Sequence, residues 1–462
     1  MTLARELVRR VRALQSQPLP PQVSRAARLH LLDAAGVGLA AAGSPVGIAW
    51  RNYGRDVPVG PASVFGMGGA TPAEAALMNG GLIHSLEFDD THTGSIVHGS
   101  AVLAAAALAA GEANGATGPA LLGAYALGWE ILVRFGLAAP GAFQARGFQV
   151  TSVAGALAAA LVAAALGGLD EDAMTAALGI SLSQAAGVFE FLSNGSSVKA
   201  LHPGWAAHAG LIAARLASAG MTGPETSLEG RFGLFAAFAG DASAPERFRA
   251  SLSELGQSWA LPDAAFKFLP CCHYLHPFVE AAGALESGRI SPASIERLVC
   301  GVPPGVAPII CEPWLLKQNP TTPHAARWSL PIVVAARLVE GRVDLATFER
   351  EASAEVRALA ARIRWEPLED TGFPRVFAAV ITCETKDGER QTVRIDDVYG
   401  NVGRPPAEQE VRQKFRTNAA RSLTPPAAAA LESAIDGLGG SGGLGALTAA
   451  LRGECDVERK QA

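Results

Sequence analysis

Residues 153–169 read Val-Ala-Gly-Ala-Leu-Ala-Ala-Ala-Leu-Val-Ala-Ala-Ala-Leu-Gly-Gly-Leu, and Asp170 follows. The run falls short of the about 20 apolar residues that cross a bilayer. It is also mostly Ala and Gly, whose small side chains let helices pack closely. It therefore reads as a helix buried inside protein, with no membrane partner. A helix apolar on every face must be wrapped by other helices, and the flanking sequence supplies them. From Ala4 to about Ala260 the segments Ala4–Gln15, Ser24–Ala42, Thr71–Ser85, Ser100–Asn114, Gly118–Gly136, Glu171–Leu182 and Ala206–Ala219 carry high-propensity residues, with Gly, Pro or Asn between them. Thr71-Pro72-Ala73-Glu74 adds a start signal: an N-cap candidate, Pro at the first helical position and an acid in the first turn.

Composition agrees. The 462 residues are 49% hydrophobic and 18% charged, against a usual charged share of about 25%. Such a chain buries enough apolar surface to offset its ordering entropy, which excludes intrinsic disorder over most of its length. Lys and Arg number 38 against 43 Asp and Glu, a net charge of −5 that is too mild and too mixed for a nucleic-acid partner. Six cysteines, two of them adjacent (Cys271, Cys272), form no disulfide framework and fit a reducing cytoplasm. The N-terminal stretch has no apolar h-region, so no signal peptide is expected.

Texture changes after about Ala265. Proline density rises and strand-like runs appear at 295–302, 377–385 and 391–395, the last two joined by Lys386-Asp387-Gly388-Glu389, whose Asp-Gly is a strong hairpin signal. Two helices, about Ala325–Glu340 and Leu345–Ala361, lie between these strands, and Ala407–Arg416 and Pro425–Leu451 return to Ala-rich helix. The sequence therefore predicts a mostly α protein: a large all-helical domain (1–264) that returns at 402–462, with a smaller α+β lid domain (265–401) inserted.

Seven of the nine histidines fall in three short clusters. The first, His84-Ser-Leu-Glu87-Phe-Asp89-Asp90-Thr91-His92 with His98, places three acids and three histidines between two apolar helices. Carboxylates can position substrate and imidazole can move a proton near neutral pH. The second runs from Ser193 to Gly204 and holds Lys199 and His202, with His208 after it. A lysine drawn into a gap between apolar helices can pair with a substrate carboxylate. The third, Phe266-Lys267-Phe-Leu-Pro-Cys271-Cys272-His273-Tyr-Leu-His276-Pro277, invites a zinc reading. Adjacent cysteines lack the usual C-x₂₋₄-C spacing, so no metal is expected and a hinge carrying pocket residues is preferred. Gly437-Leu-Gly439-Gly-Ser-Gly442 matches G-x-G-x-x-G but follows a helix with no βαβ unit around it, so it reads as a turn.

Together these clusters resemble the MmgE/PrpD family. The matching pieces are HSLEFDDTH (84–92) with His98, GFQVTS (147–152), SSVKALHPGWAAHAG (196–210), KFLPCCHYLHP (267–277), NPTTPHAARWSLPIVVA (319–335) and GNVGRPPAEQEV (400–411). The resemblance implies a homodimer with an active site in the cleft between a helical domain and an α+β lid. It also implies work on small di- or tricarboxylates without metal or organic cofactor, by proton transfer at carbon next to a carboxylate. By position it implies Glu87, Thr91, His98, Lys199 and Lys267 as pocket residues, with His273 in the lid motif. The expected catalytic set is His98, Lys199, Lys267 and Glu87; the expected substrate-binding set is Thr91, Asp90, Gln149, His202, His273 and Ile332. Two positions depart from the family pattern. Gln149 stands where many relatives have His, and Ile332 where many have Tyr. Neither can carry a proton near neutral pH. The leading expectation is a dehydratase-like lyase, with an epimerase of a substituted dicarboxylate or a silent carboxylate binder as alternatives. If both departures face the cleft, a substrate less oxygenated than citrate-type acids is expected.

Overall fold

A computed structural model of the chain describes residues 1–287, 290–369 and 371–452. Residues 453–462 of the expected helical return, with Cys455, lie outside them. Two hydrophobic cores organise these residues. One draws on residues 3–264 and again on 415–451, the other on residues 271–398. The architecture is mostly α.

In the larger core Val150–Leu166 is buried from Val150 through Ala164 and packs against Leu201–Ser218, Gly99–Ala113, Gly118–Ala138 and Glu171–Leu182. Small residues set the distances. A Cβ added to Gly204 would stand 2.2 Å from the Leu77 carbonyl oxygen, and one added to Gly80 would stand 2.6 Å from the Gly204 Cα. The helices Pro72–His84 and Leu201–Ser218 therefore meet at backbone contact. Gly118–Ala138, rather than the 153–169 run, is long and apolar enough to cross a membrane, and 83% of its apolar window is buried inside the protein. Its interior holds an ion pair, Arg134 Nη1 to Glu130 Oε2 at 2.8 Å, and Glu130 Oε1 accepts the Ala260 and Leu261 N–H groups at 2.6 and 3.2 Å.

Strands are few. Ala62–Val64 (β1) and Gly68–Ala70 (β2) form a small antiparallel hairpin. The second core is built on Ile295–Val302 (β3), Ile363–Pro367 (β4), Ala379–Thr385 (β5) and Arg390–Ile395 (β6), in the order β4-β3-β5-β6. β3 pairs parallel with β4 and antiparallel with β5, and the Asp387-Gly388 turn joins β5 to β6 with Gly388 at φ 89°.

Several boundaries differ from expectation, each for a local reason. Thr71 stands at the N-cap without a side-chain bond to the helix, and the first-turn Glu74 is taken by the Tyr53 hydroxyl at 2.6 Å. The expected helix 325–340 is a short turn, Ala325–Trp328, followed by Leu330–Glu340, which restarts because Ser329 Oγ accepts the Ile332 N–H at 3.1 Å. The expected helix 345–361 breaks likewise into Leu345–Phe348, capped by Asp344, and Ala354–Ala360, capped by Ser353. The glycine run from Gly437 divides 425–451 into Pro425–Asp436 and Gly445–Arg452.

Replacing Gly204 by Ala puts a methyl group into backbone and is expected to lower stability by about 1–3 kcal/mol. Gly123→Ala, in the helix Gly118–Ala138 with nothing within 4 Å of the added Cβ, is expected to raise it by about 0.5–1 kcal/mol. Chemical denaturation of the two variants beside the parent checks both signs.

Candidate active site

The tight crossing of small-residue helices brings their ends together. His84 closes Pro72–His84, His98 precedes Gly99–Ala113, Gln149 precedes Val150–Leu166, and Lys199 lies in the turn Ser197–Ala200 that leads into Leu201–Ser218. The lid domain faces them with Cys272, His273, Tyr274, Trp328 and Phe377. Between the two lies a cavity of about 70 Å³, bounded on the helical side by Glu87, Thr91, His98, Gln149, Phe189, Phe191 and Lys199. Its wall combines charged and polar side chains with the aromatic rings of Phe189, Phe191, Tyr274, Trp328 and Phe377.

The loop after His84 is held from three directions. Its successive carbonyls each accept from a buried cation: Leu86 from Arg327 Nη1 at 2.8 Å, Glu87 from Lys267 Nζ at 3.4 Å, and Phe88 from Lys414 Nζ at 2.9 Å. Arg327 comes from the lid domain, Lys267 from the junction and Lys414 from the C-terminal helix Glu408–Ala419. Lys414 also pairs with Asp33 at 2.7 Å and lies over the Phe88 ring, 4.2 Å from its centroid. This clamp holds Glu87 at φ 52°, in the left-handed region where a non-glycine residue carries roughly 1–3 kcal/mol of strain. Thr91 and Ala265 exchange backbone hydrogen bonds at 3.0 and 2.8 Å, which ties the end of the loop to the junction.

The side chains so placed form pairs. Glu87 Oε1 accepts from Lys199 Nζ, and Lys199 stands 5.4 Å from the Trp328 ring centroid. Burial works against the charge on Glu87, but Lys199 and Lys267 outweigh it and hold its carboxyl down at about 2. Asp89 is likewise held below the usual carboxylate range: burial opposes its charge, and the hydrogen bond from His84 Nδ1 and the Lys267 ammonium prevail. Asp89 Oδ2 bonds His84 Nδ1 at 2.8 Å, while its Oδ1 has no hydrogen-bond partner and lies 3.8 Å from Lys267 Nζ. His98 Nδ1 stands 3.1 Å from the Asp90 carbonyl oxygen and 3.2 Å from Thr91 Oγ1. A carbonyl only accepts, so this nitrogen carries the ring proton and Nε2 keeps the lone pair. Burial, aided by Lys267, pushes the His98 pKa well below its ordinary value, so the ring is neutral at physiological pH. His273 is also kept neutral by burial, and neither of its ring nitrogens has a partner.

Residues 5–247 match the MmgE/PrpD N-terminal domain and residues 269–438 the MmgE/PrpD C-terminal domain. The chain belongs to the MmgE/PrpD family. It is 28% identical over 465 residues to a cis-aconitate decarboxylase of Mus musculus, covering 96% of this chain and 92% of that one. It is 29% identical over 372 residues to the cis-aconitate decarboxylase of Homo sapiens, covering 76% and 74%. A cis-aconitate decarboxylase of Aspergillus terreus is 27% identical over 433 residues, covering 87% and 86%.

Within this MmgE/PrpD cavity, Glu87, Thr91, His98, Gln149, Lys199 and His273 lie on the wall. Four expected residues do not. Lys267 is fully buried beneath the loop, its ammonium turned to the Glu87 carbonyl and Asp89. Asp90 faces the helical core, where it bonds His30 Nδ1 at 2.8 Å and the Ser100 N–H at 3.1 Å. His202 stands behind Gln149, with Nδ1 2.6 Å from the amide oxygen. Ile332 is the clearest correction. The Ser329 cap fixes the first turn of its helix so that it packs in the lid, lining a separate cavity with Asn319, Pro320, Ala336 and Val356. The sequence alone assigns no role to His84, Trp328, Arg327 or Lys414. His84 stood in a quoted cluster five residues from Asp89, a usable signal. Lys414 lies 381 positions from Asp33 and had none.

Among the described residues, His84, Asp89 and His98 bring three ligand-type atoms within 4.8 Å of one another; the Cys271-Cys272-His273-x-x-His276 stretch forms no such group. Lys267 Nζ stands 3.8 Å from Asp89 Oδ1, so an ammonium already faces the one carboxylate of the group. That arrangement suits proton transfer better than a divalent cation.

Lys414→Met would leave Asp33 buried and unpaired, and is expected to cost about 3–5 kcal/mol. The double variant Lys414→Met with Asp33→Leu should recover much of that loss; equilibrium unfolding of the three proteins measures it.

Proposed function

We propose that this chain is a cofactor-independent lyase acting on a small polycarboxylate, breaking a C–O or C–C bond next to a carbon that exchanges a proton. The observation that carries the reading is the pairing, on one cavity wall, of a neutral imidazole with its lone pair on Nε2 (His98) and an ammonium group (Lys199). The relatives named as cis-aconitate decarboxylases support the lyase class and the carboxylate substrate.

The chemistry follows from charge. Beside the cavity two carboxylates, Glu87 and Asp89, meet three cations, Lys199, Lys267 and Arg327, an excess of one that a substrate carboxylate offsets. On the far side Lys414 is matched by Asp33. His98 Nε2 takes a proton from the carbon next to the bound carboxylate, and the electron pair moves onto that carboxylate. Lys199 stabilises the developing negative charge in a site largely closed to water. In a dehydration the electron pair then returns to form the alkene as the hydroxyl leaves, protonated, as water. A decarboxylation runs without that first proton transfer: CO₂ leaves, its C–C electrons stay on the product carbon, and that carbanion takes one proton from the Lys199 ammonium, which regains it from solvent. Lys267 acts from behind the wall by holding the loop and Asp89.

The aromatic side chains on the cavity wall, Phe189, Phe191, Trp328 and Phe377, favour a substrate with an apolar substituent. Ile332, which lines a separate cavity in the lid, plays no part in this preference. Dicarboxylates bearing an alkyl group are expected to turn over faster than cis-aconitate or 2-methylcitrate, and a side-by-side assay in deuterated water decides. A lyase gives alkene or CO₂; an epimerase gives label at one carbon with no other change; a silent binder gives neither.

His98→Asn is expected to lower turnover about 10²–10⁴-fold. The sign of the pH dependence is also fixed. The base works only when neutral and burial lowers its pKa, so the acid limb of kcat/KM should fall below the ordinary histidine value of about 6.5.

A further inference from the structure

Gln149 is the residue whose type the proposed chemistry leaves unused. It lines the cavity and is buried, yet its amide is turned to two histidines: Nε2 lies 3.4 Å from His84 Nε2, and Oε1 lies 2.6 Å from His202 Nδ1. The chain begins at Asp89. A carboxylate only accepts, so the proton between Asp89 Oδ2 and His84 Nδ1 belongs to His84. In its neutral form His84 then carries its lone pair on Nε2, and Gln149 must present its NH₂ there. Its carbonyl oxygen thereby faces His202 Nδ1, which must carry a proton. One ionised carboxylate fixes the orientation of an amide and, through it, the tautomers of two rings.

We propose that Gln149 is a positioning residue that occupies the lone pair of His84, whose Nδ1–H tautomer Asp89 sets, and locks His202 as the Nδ1–H tautomer, leaving His98 as the imidazole base on the helical wall. An amide suits this because it donates on one side and accepts on the other without changing charge. The groups around His84 make such a lock consequential. Glu87 Oε1 lies 4.0 Å from its Nε2, the His98 ring lies 4.8 Å away between centroids, and Lys199 and Lys267 stand beside Glu87 and Asp89. Without a donor on Nε2, that nitrogen could take a proton toward Glu87. Burial keeps His202 neutral, with a pKa of about 4, and its backbone carbonyl is held by Ser152 Oγ at 2.9 Å. His202 is thus a fixed anchor for the amide.

The consequence for catalysis rests on the proton-transfer reading of the cavity, but the tautomers are measurable without any substrate. The full chain, labelled with ¹⁵N at histidine and assigned through single His→Asn variants, is examined by NMR at about pH 8, where an ordinary imidazole is neutral. His84 and His202 are expected to show a protonated Nδ1 and a lone-pair Nε2. In Gln149→Glu both sides of residue 149 accept, so the His84 Nε2 signal should move to the protonated position. In Gln149→Leu the His202 signals should move toward a mixture of tautomers. A proton on Nε2 of either ring in the parent protein overturns the proposal without need of any variant. So does an unchanged His84 in folded Gln149→Glu, or an unchanged His202 in folded Gln149→Leu. Absent turnover of every carboxylate tried, with the tautomers as expected, would instead count against the proposed lyase function alone.

Discussion

The capture of three consecutive carbonyl oxygens by three buried cations is the interaction on which the site depends. Backbone carbonyls at residues 86–88 cannot pair within a helix, because the chain has left Pro72–His84 and Glu87 adopts a left-handed conformation. Buried and unpaired, each would carry a desolvation cost of about 1–3 kcal/mol. Arg327, Lys267 and Lys414 satisfy them, and each cation meets a nearby carboxylate or carbonyl. Glu87, Asp89 and Thr91 owe their directions to this clamp.

The helical scaffold supplies the complementary half. Alanine and glycine at the crossings of 72–84, 99–113, 150–166 and 201–218 allow backbones to approach until helix ends share one small volume. Helix starts carry partial positive charge, which adds to the ammonium of Lys199. The lid domain contributes mainly aromatic surface and the two neutral nitrogens of His273. The charged groups of the cavity wall thus sit on the helical side, while both domains contribute aromatic surface, Phe189 and Phe191 from one and Trp328 and Phe377 from the other.

Much of this was legible in the sequence. The Ala/Gly-rich runs, the change of texture near 265 and the helical return all concern local composition, which one chain displays directly. The histidine clusters marked the loops that line the cavity. What escaped depends on pairing across the chain or on the direction of one side chain. The strand Ile363–Pro367 carries Arg364 and Glu366 and ends in proline; it is an edge strand held by register with Ile295–Val302, not by an apolar pattern of its own. Ile332 looked like a pocket residue because a family pattern fixes position and not orientation; the Ser329 cap decided where it points. Lys414 and Asp33 are unremarkable in their own neighbourhoods and meaningful only as a pair.

The pairing of Lys414 with Phe88 and Asp33 also sets an order of assembly. Protein chains are made from the N-terminus, and their early parts begin to fold as they emerge. Here residues 84–92 leave the ribosome well before any of the three cations that hold them. Lys267 arrives first, Arg327 with the lid, and Lys414 only when the last helices are made. Until then Asp33 has no counter-ion and the strained turn has no reason to persist. The loop 84–92 therefore reaches its final shape only after residue 414 has been made, although it belongs to the first quarter of the chain. The final shape of the loop waits for the C-terminal return of the helical domain, not only for its first stretch.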